Sequence, residues 1–123
     1  PSSLERGRHV HAEIASSRLL LTAVGPPSLQ AYADALLGHL DAADRAGELL
    51  EALSAFLEHN GHWAAAATAL KVHRHTLRSR IDTVERLTGR LMESAQDRHE
   101  LWLALRARDT AGYRVRPPAE SSD

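Results

Sequence analysis

The sequence predicts an all-α fold of about six helices, and three observations carry that prediction. Hydrophobic residues make up 43% of the chain but aromatics only 4%, with alanine and leucine dominant, a palette that packs helices more readily than sheets. Apolar residues recur three and four positions apart through several separate stretches, the spacing of one helical face. Glycine and proline fall between those stretches, at Gly25-Pro26-Pro27, Asn60-Gly61 and Thr88-Gly89, where they separate one helix from the next. A length of 123 residues allows one domain of ordinary size with flanking pieces.

The elements follow in order. Residues 1–11 are polar and expected to be poorly ordered. The opening PSSLERGRHV has neither an apolar signal core nor an initiator methionine, so the chain reads as an excised piece of a longer protein. Residues 12–24 carry Ile14, Leu20, Leu21 and Val24 on a first helix. Gly25-Pro26-Pro27 breaks it, and Ser28 reads as the N-cap of a second helix with Leu29, Tyr32, Leu36 and Leu40 on one side. Asp41–Arg45 is a polar link. A third helix places Leu49, Leu53, Phe56 and Leu57 inward and Glu48, Glu51 and Glu58 outward, closing at Asn60-Gly61. A fourth helix covers Trp63 to Leu70 and a fifth Arg74 to Leu87. A sixth, Ala95 to Arg108, turns Leu101, Trp102 and Leu105 inward before the fraying tail GYRVRPPAESSD. The predicted division is 1–43, a polar tail and two linker helices left from a truncated upstream region; 44–112, a domain with its core in helices three to six; and 113–123, a flexible tail.

The stretch 60–81, NGHWAAAATALKVHRHTLRSRI, bears on function. An alanine-faced helix lets another helix cross at close range, and the second helix here begins with arginine and histidine. Tight packing behind and a basic, polar face in front are what a helix-turn-helix that reads DNA requires. Net charge is −1, yet residues 71–90 hold six cations against two anions, leaving −5 on the remainder. A basic helix on an acidic body is an electrostatic footprint.

On a wheel advancing about 100° per residue, Leu77, Ile81 and Val84 cluster and must face the core. Arg78, His75, Ser79 and Asp82 fall on the far arc, with Arg74 on one shoulder and Thr76 and Arg80 on the other. Arg78 is the leading base reader, because guanidinium bonds guanine N7 and O6 as a pair. His75 and Ser79 are secondary readers. Lys71, Arg74, Thr76 and Arg80 are expected to hold phosphates, which set register without reading sequence. His73, at the helix start where backbone N–H groups attract phosphate, completes the candidate set. The competing explanation is a solvated charged face with no ligand at all.

Other chemistries find less support. The chain contains eight histidines and no cysteine. His59 and His62 straddle Gly61, and His73 and His75 have no carboxylate pair beside them, so no tetrahedral metal set assembles and no cofactor is expected. No serine has a nucleophile-elbow context and no glycine-rich phosphate loop is present, which argues against an enzyme. Trp63 and Trp102 read as core or interhelix packing. No stretch approaches the roughly 18 apolar residues of a membrane helix, and the lack of cysteine fits a cytoplasmic protein. A protein–protein interaction or dimerisation module without DNA readout remains the alternative. Leu19, Leu20, Leu21, Leu36 and Leu37 would be exposed without a partner.

The segment LLEALSAFLEHNGHWAAAATALKVHRHTLRSRIDTVERLTGRLMESAQDRHELWLALRA, residues 49–107, resembles the C-terminal helix-turn-helix domain of PucR-type regulators, a group that includes CdaR-like sugar-diacid regulators. AAAATAL, VHRHTLRSRI, ERLTG and DRHELWLALRA carry the resemblance most specifically. It implies a bacterial transcription factor that binds double-stranded DNA, with its N-terminal sensory region absent from this chain. A homodimer is expected from the economy of paired half-sites. The sequence departs from the family where His75 replaces a usual asparagine, where Ser79 replaces a frequent tyrosine, and where His62 takes the N-cap asparagine position.

Overall fold

The computed structural model describes residues 19–115, with side chains through Ala111. Those residues form six helices: α1 (19–23), α2 (Pro26–Ala43), α3 (Glu48–Glu58), α4 (Trp63–Leu70), α5 (Arg74–Thr88) and α6 (Ala95–Val115), with no strand among them. Expectations placed on Ile14 and the rest of 1–18, and on 116–123, lie outside the described residues.

α2 starts three residues earlier than its sequence suggested. Its N-cap is Gly25, with Pro26 and Pro27 in the first turn, where a missing N–H costs nothing and the fixed φ already suits a helix. Ser28 is therefore inside the helix and is not its cap. The buried stripe is Leu29, Ala33, Leu37 and Leu40. At the far end Asp44 leaves the helix and its carboxylate accepts from Leu49 N–H at 2.7 Å and Leu50 N–H at 3.0 Å. It satisfies two N–H groups that Gly47, the N-cap of α3, has no side chain to reach.

The α3–α4 corner closes on two left-handed residues, Asn60 (φ 55°) and Gly61 (φ 79°). Gly61 N–H donates to the Phe56 carbonyl at 2.8 Å, the bond that ties off a helix end in a Schellman motif. The next corner is three residues long. Lys71 takes a left-handed backbone, φ 60° and ψ 42°, and Val72 N–H donates to the Ala67 carbonyl at 3.1 Å.

The main core gathers Leu53 and Phe56 from α3, Ala66 and Ala67 from α4, Leu77, Ile81 and Val84 from α5, Met92, and Leu101 and Ala104 from α6. Leu37 and Leu40 of α2 belong to the same cluster. The core expected from helices three to six thus takes in α2, which packs along α6 and also touches α5. Leu37 is fully buried and Leu21 nearly so, while Leu19 and Leu20 are 74% and 70% exposed. α6 continues past the expected end at Arg108 to Val115, so 113–115 are helical. Ala111 on the extra turns and Ala107 just before them are buried with Leu21 and Leu29 in a second cluster.

Candidate nucleic-acid interface

The site is built by α4, the corner at 71–73, and the first half of α5. Ala66 and Ala67 are buried; with no side chain beyond Cβ they let α5 cross close by. Leu77, Ile81 and Val84 are all buried, so the inward stripe lies where its spacing put it. The opposite side of α5 follows from that anchoring: Arg74, His75, Arg78, Ser79 and Asp82 are exposed.

The start of α5 is fixed by His73. Its backbone is extended and its Nδ1 accepts from His75 N–H at 3.1 Å, so the imidazole acts as a side-chain cap. That bond requires Nδ1 to be unprotonated and leaves the proton on Nε2. The His73 and His75 rings stack, 4.9 Å between centroids and 16° between planes. Histidine is seldom a cap, and nothing in the sequence pattern signalled this role. His62, at the N-cap of α4, makes no side-chain cap bond.

Arg78 is anchored from below. Its guanidinium carbon lies 4.6 Å from the centroid of the Trp63 ring, and its Nε is 3.9 Å from Asp82. Trp63 in turn packs on Phe56 at 4.5 Å, tilted by 52°. Trp63, His73, Arg74, His75 and Arg78 line one shallow concavity. Trp63, expected in core or interhelix packing, is joined to the exposed face as well by its contact with Arg78.

The cations of residues 71–90 separate in space. Lys71 and Arg74 are exposed and have no ion-pair partner among the described residues. Arg78 keeps 61% of its side chain exposed, whereas Arg80 keeps 24% and turns toward α3, 3.7 Å from Glu48. To meet a phosphate, Arg80 must give up that pair. Thr76 is half-buried. Arg90 is bonded to Glu100 at 2.7 Å. Arg86 is exposed and aligned with Ser79 and Asp82 on the helix, a cation that sequence reading counted but did not assign.

Among the described residues no group of histidines and carboxylates could hold a metal ion, and no helix is long and apolar enough to cross a membrane.

Comparison with known proteins bears on the same segment. The model of the PucR C-terminal helix-turn-helix domain matches residues 49–107. The chain is 38% identical over 73 residues to the transcriptional activator PmfR of Paenarthrobacter nicotinovorans, an alignment covering 58% of this chain and 16% of that protein. It is 36% identical over 77 residues to an uncharacterized protein in the pkwA 5' region of Thermomonospora curvata, covering 62% of this chain and 43% of that one. The chain thus spans less than half the length of either relative. No solved structure matches it.

Proposed function

Residues 49–107 are a PucR C-terminal helix-turn-helix domain, and from that premise we propose that this chain binds double-stranded DNA sequence-specifically as the DNA-reading part of a bacterial transcriptional regulator. The observation that carries the reading is the orientation of α5. Leu77, Ile81 and Val84 are sealed against the core while Arg74, His75, Arg78 and Ser79 face solvent together from the helix's first half. That half enters the major groove in helix-turn-helix complexes.

Roles follow from placement. Arg78 reads a base, with guanine the natural partner for its paired donors. His75 and Ser79 are beside it on the same arc. Lys71, Arg74 and the Nε2–H of His73 surround the helix start and approach phosphates, with Thr76 behind them. Arg80 joins the phosphate set only by exchanging Glu48 for the backbone. The similarity to a transcriptional activator supports a role in transcription. A cytoplasmic location, an effector-sensing region on the N-terminal side, and homodimers on paired half-sites belong to the same proposal.

Selection of bound duplexes from a random pool at stated salt tests the main claim. Recovery of a common sequence, bound with an affinity that falls steeply with salt, is the expected result, since each neutralised phosphate adds about −0.9 to the log–log slope. A pool that stays random after selection would sink it. Sedimentation with and without the selected duplex tests the dimer, and a monomer in both cases would remove it.

A further inference from the structure

We infer that Trp63 is a positioning residue for DNA sequence readout: its indole face, resting on Phe56, holds the Arg78 guanidinium in the one orientation from which it meets a base. The inference rests on the reading of Arg78 given above.

An exposed arginine ordinarily samples many rotamers, and a bidentate contact must then stop that motion at an entropic cost. Arg78 is constrained before any ligand arrives. The indole lies under its guanidinium at 4.6 Å and the Asp82 carboxylate flanks Nε at 3.9 Å. Neither contact hides the group, since 61% of the side chain stays exposed. Cation–π contact is strongest over tryptophan, and a guanidinium held on one side by the ring still offers N–H donors on its solvent side. Trp63 cannot easily swing away, because it is half-buried, packs against the core, and has its ring 4.5 Å from Phe56. The chain thus relays rigidity from the core through Phe56 and Trp63 to a side chain at the surface. Arg74, one turn earlier on α5, lines the same concavity with no such platform.

The test uses the whole chain, the duplex selected from a random pool, duplexes with single base-pair changes, and unrelated duplex DNA. Arg78→Ala identifies the base pair that Arg78 reads. Trp63→Leu, which keeps apolar bulk but has no aromatic face, should lose discrimination at that same pair by about tenfold, within the range of one bidentate contact. Affinity for unrelated DNA and its salt slope should be unchanged. Trp63→Phe should restore most of the discrimination, and Trp63→Leu should add nothing to Arg78→Ala.

Full discrimination in Trp63→Leu, or additive losses in the double variant, would overturn the inference while leaving Arg78 as the reader. Unaltered base preference in Arg78→Ala would overturn the assignment of Arg78 and this inference together. A second measurement needs no variant to fold. In the free wild-type protein the Arg78 Nε–H resonance should be displaced upfield by the indole ring current, and a resonance at the position of a freely hydrated arginine would count decisively against the platform.

Discussion

On α6, Arg98 and Arg108 commit their donors to their own fold; on the outer side of α5, Arg74 and Arg78 keep theirs open to solvent. Arg108 donates to both Asp41 oxygens, at 2.9 and 2.7 Å, and lies 3.5 Å from Asp34. Arg98 donates to the Met92 carbonyl. On α5, Arg74 has no such partner among the described residues, and Arg78 rests on Trp63 and pairs loosely with Asp82 while its donors stay open to solvent. The two helices use one residue type for two purposes. Guanidinium groups that join α6 to α2 and to the loop before it stabilise the fold, while those left hydrated on α5 are available to an anion from outside. Arg80 marks the boundary, since it starts on α5 and ends beside Glu48 of α3.

The sharpest way to break this contrast is to loosen the inward side of α5. Leu77→Ala opens a cavity at a fully buried position and should cost roughly 2–5 kcal/mol of stability. Denaturant unfolding measures it, and an unchanged midpoint would mean that α5 is not anchored by this stripe. Arg108→Ala should cost about 1–2 kcal/mol, because a half-exposed charged pair gives less than a buried one, and should leave DNA affinity unaltered. Its hydrogen bond to Asp41 raises the Arg108 pKa above the ordinary guanidinium value. A raised pKa stabilises fully below the unfolded value and is lost only as pH climbs through the folded one. The deficit in Arg108→Ala should therefore persist unchanged across neutral pH, and thermal melts at several pH values check this. Arg74→Ala should shift stability by less than about 0.5 kcal/mol while lowering the salt slope of DNA binding by about 1. Arg80→Ala should lower that slope less, and equal losses for the two would show that Arg80 abandons Glu48 in the complex.

Sequence spacing revealed the anchored side of α5 because Leu77, Ile81 and Val84 are large, apolar and flanked by charge. The same logic missed the last turns of α6, where the buried position is Ala111 and alanine is too common on exposed helices to signal burial. It also set α2 apart from the domain, because Leu37 announces a hydrophobic face but not which helix covers it. The wheel located Arg74, Arg78 and Arg80 correctly around α5 but not their partners. Glu48 is far away in sequence, and Trp63 meets Arg78 only once the 71–73 corner has folded α5 across α4. The caps supplied by Asp44 and His73 were equally hidden, one because it acts across the Gly47 turn and the other because imidazole rarely takes that role.

Lys71 shows where this architecture has settled for less than its most comfortable backbone. A left-handed conformation at φ 60° suits glycine and strains a lysine by roughly 1–2 kcal/mol. Lys71→Gly should relieve that strain and hold or raise the melting temperature, yet weaken the grip on DNA, a lower melting temperature being the result that contradicts this. Engineering this corner for heat resistance would then come at the expense of function, and the ammonium group at the bend is a feature that optimisation for folding alone would discard.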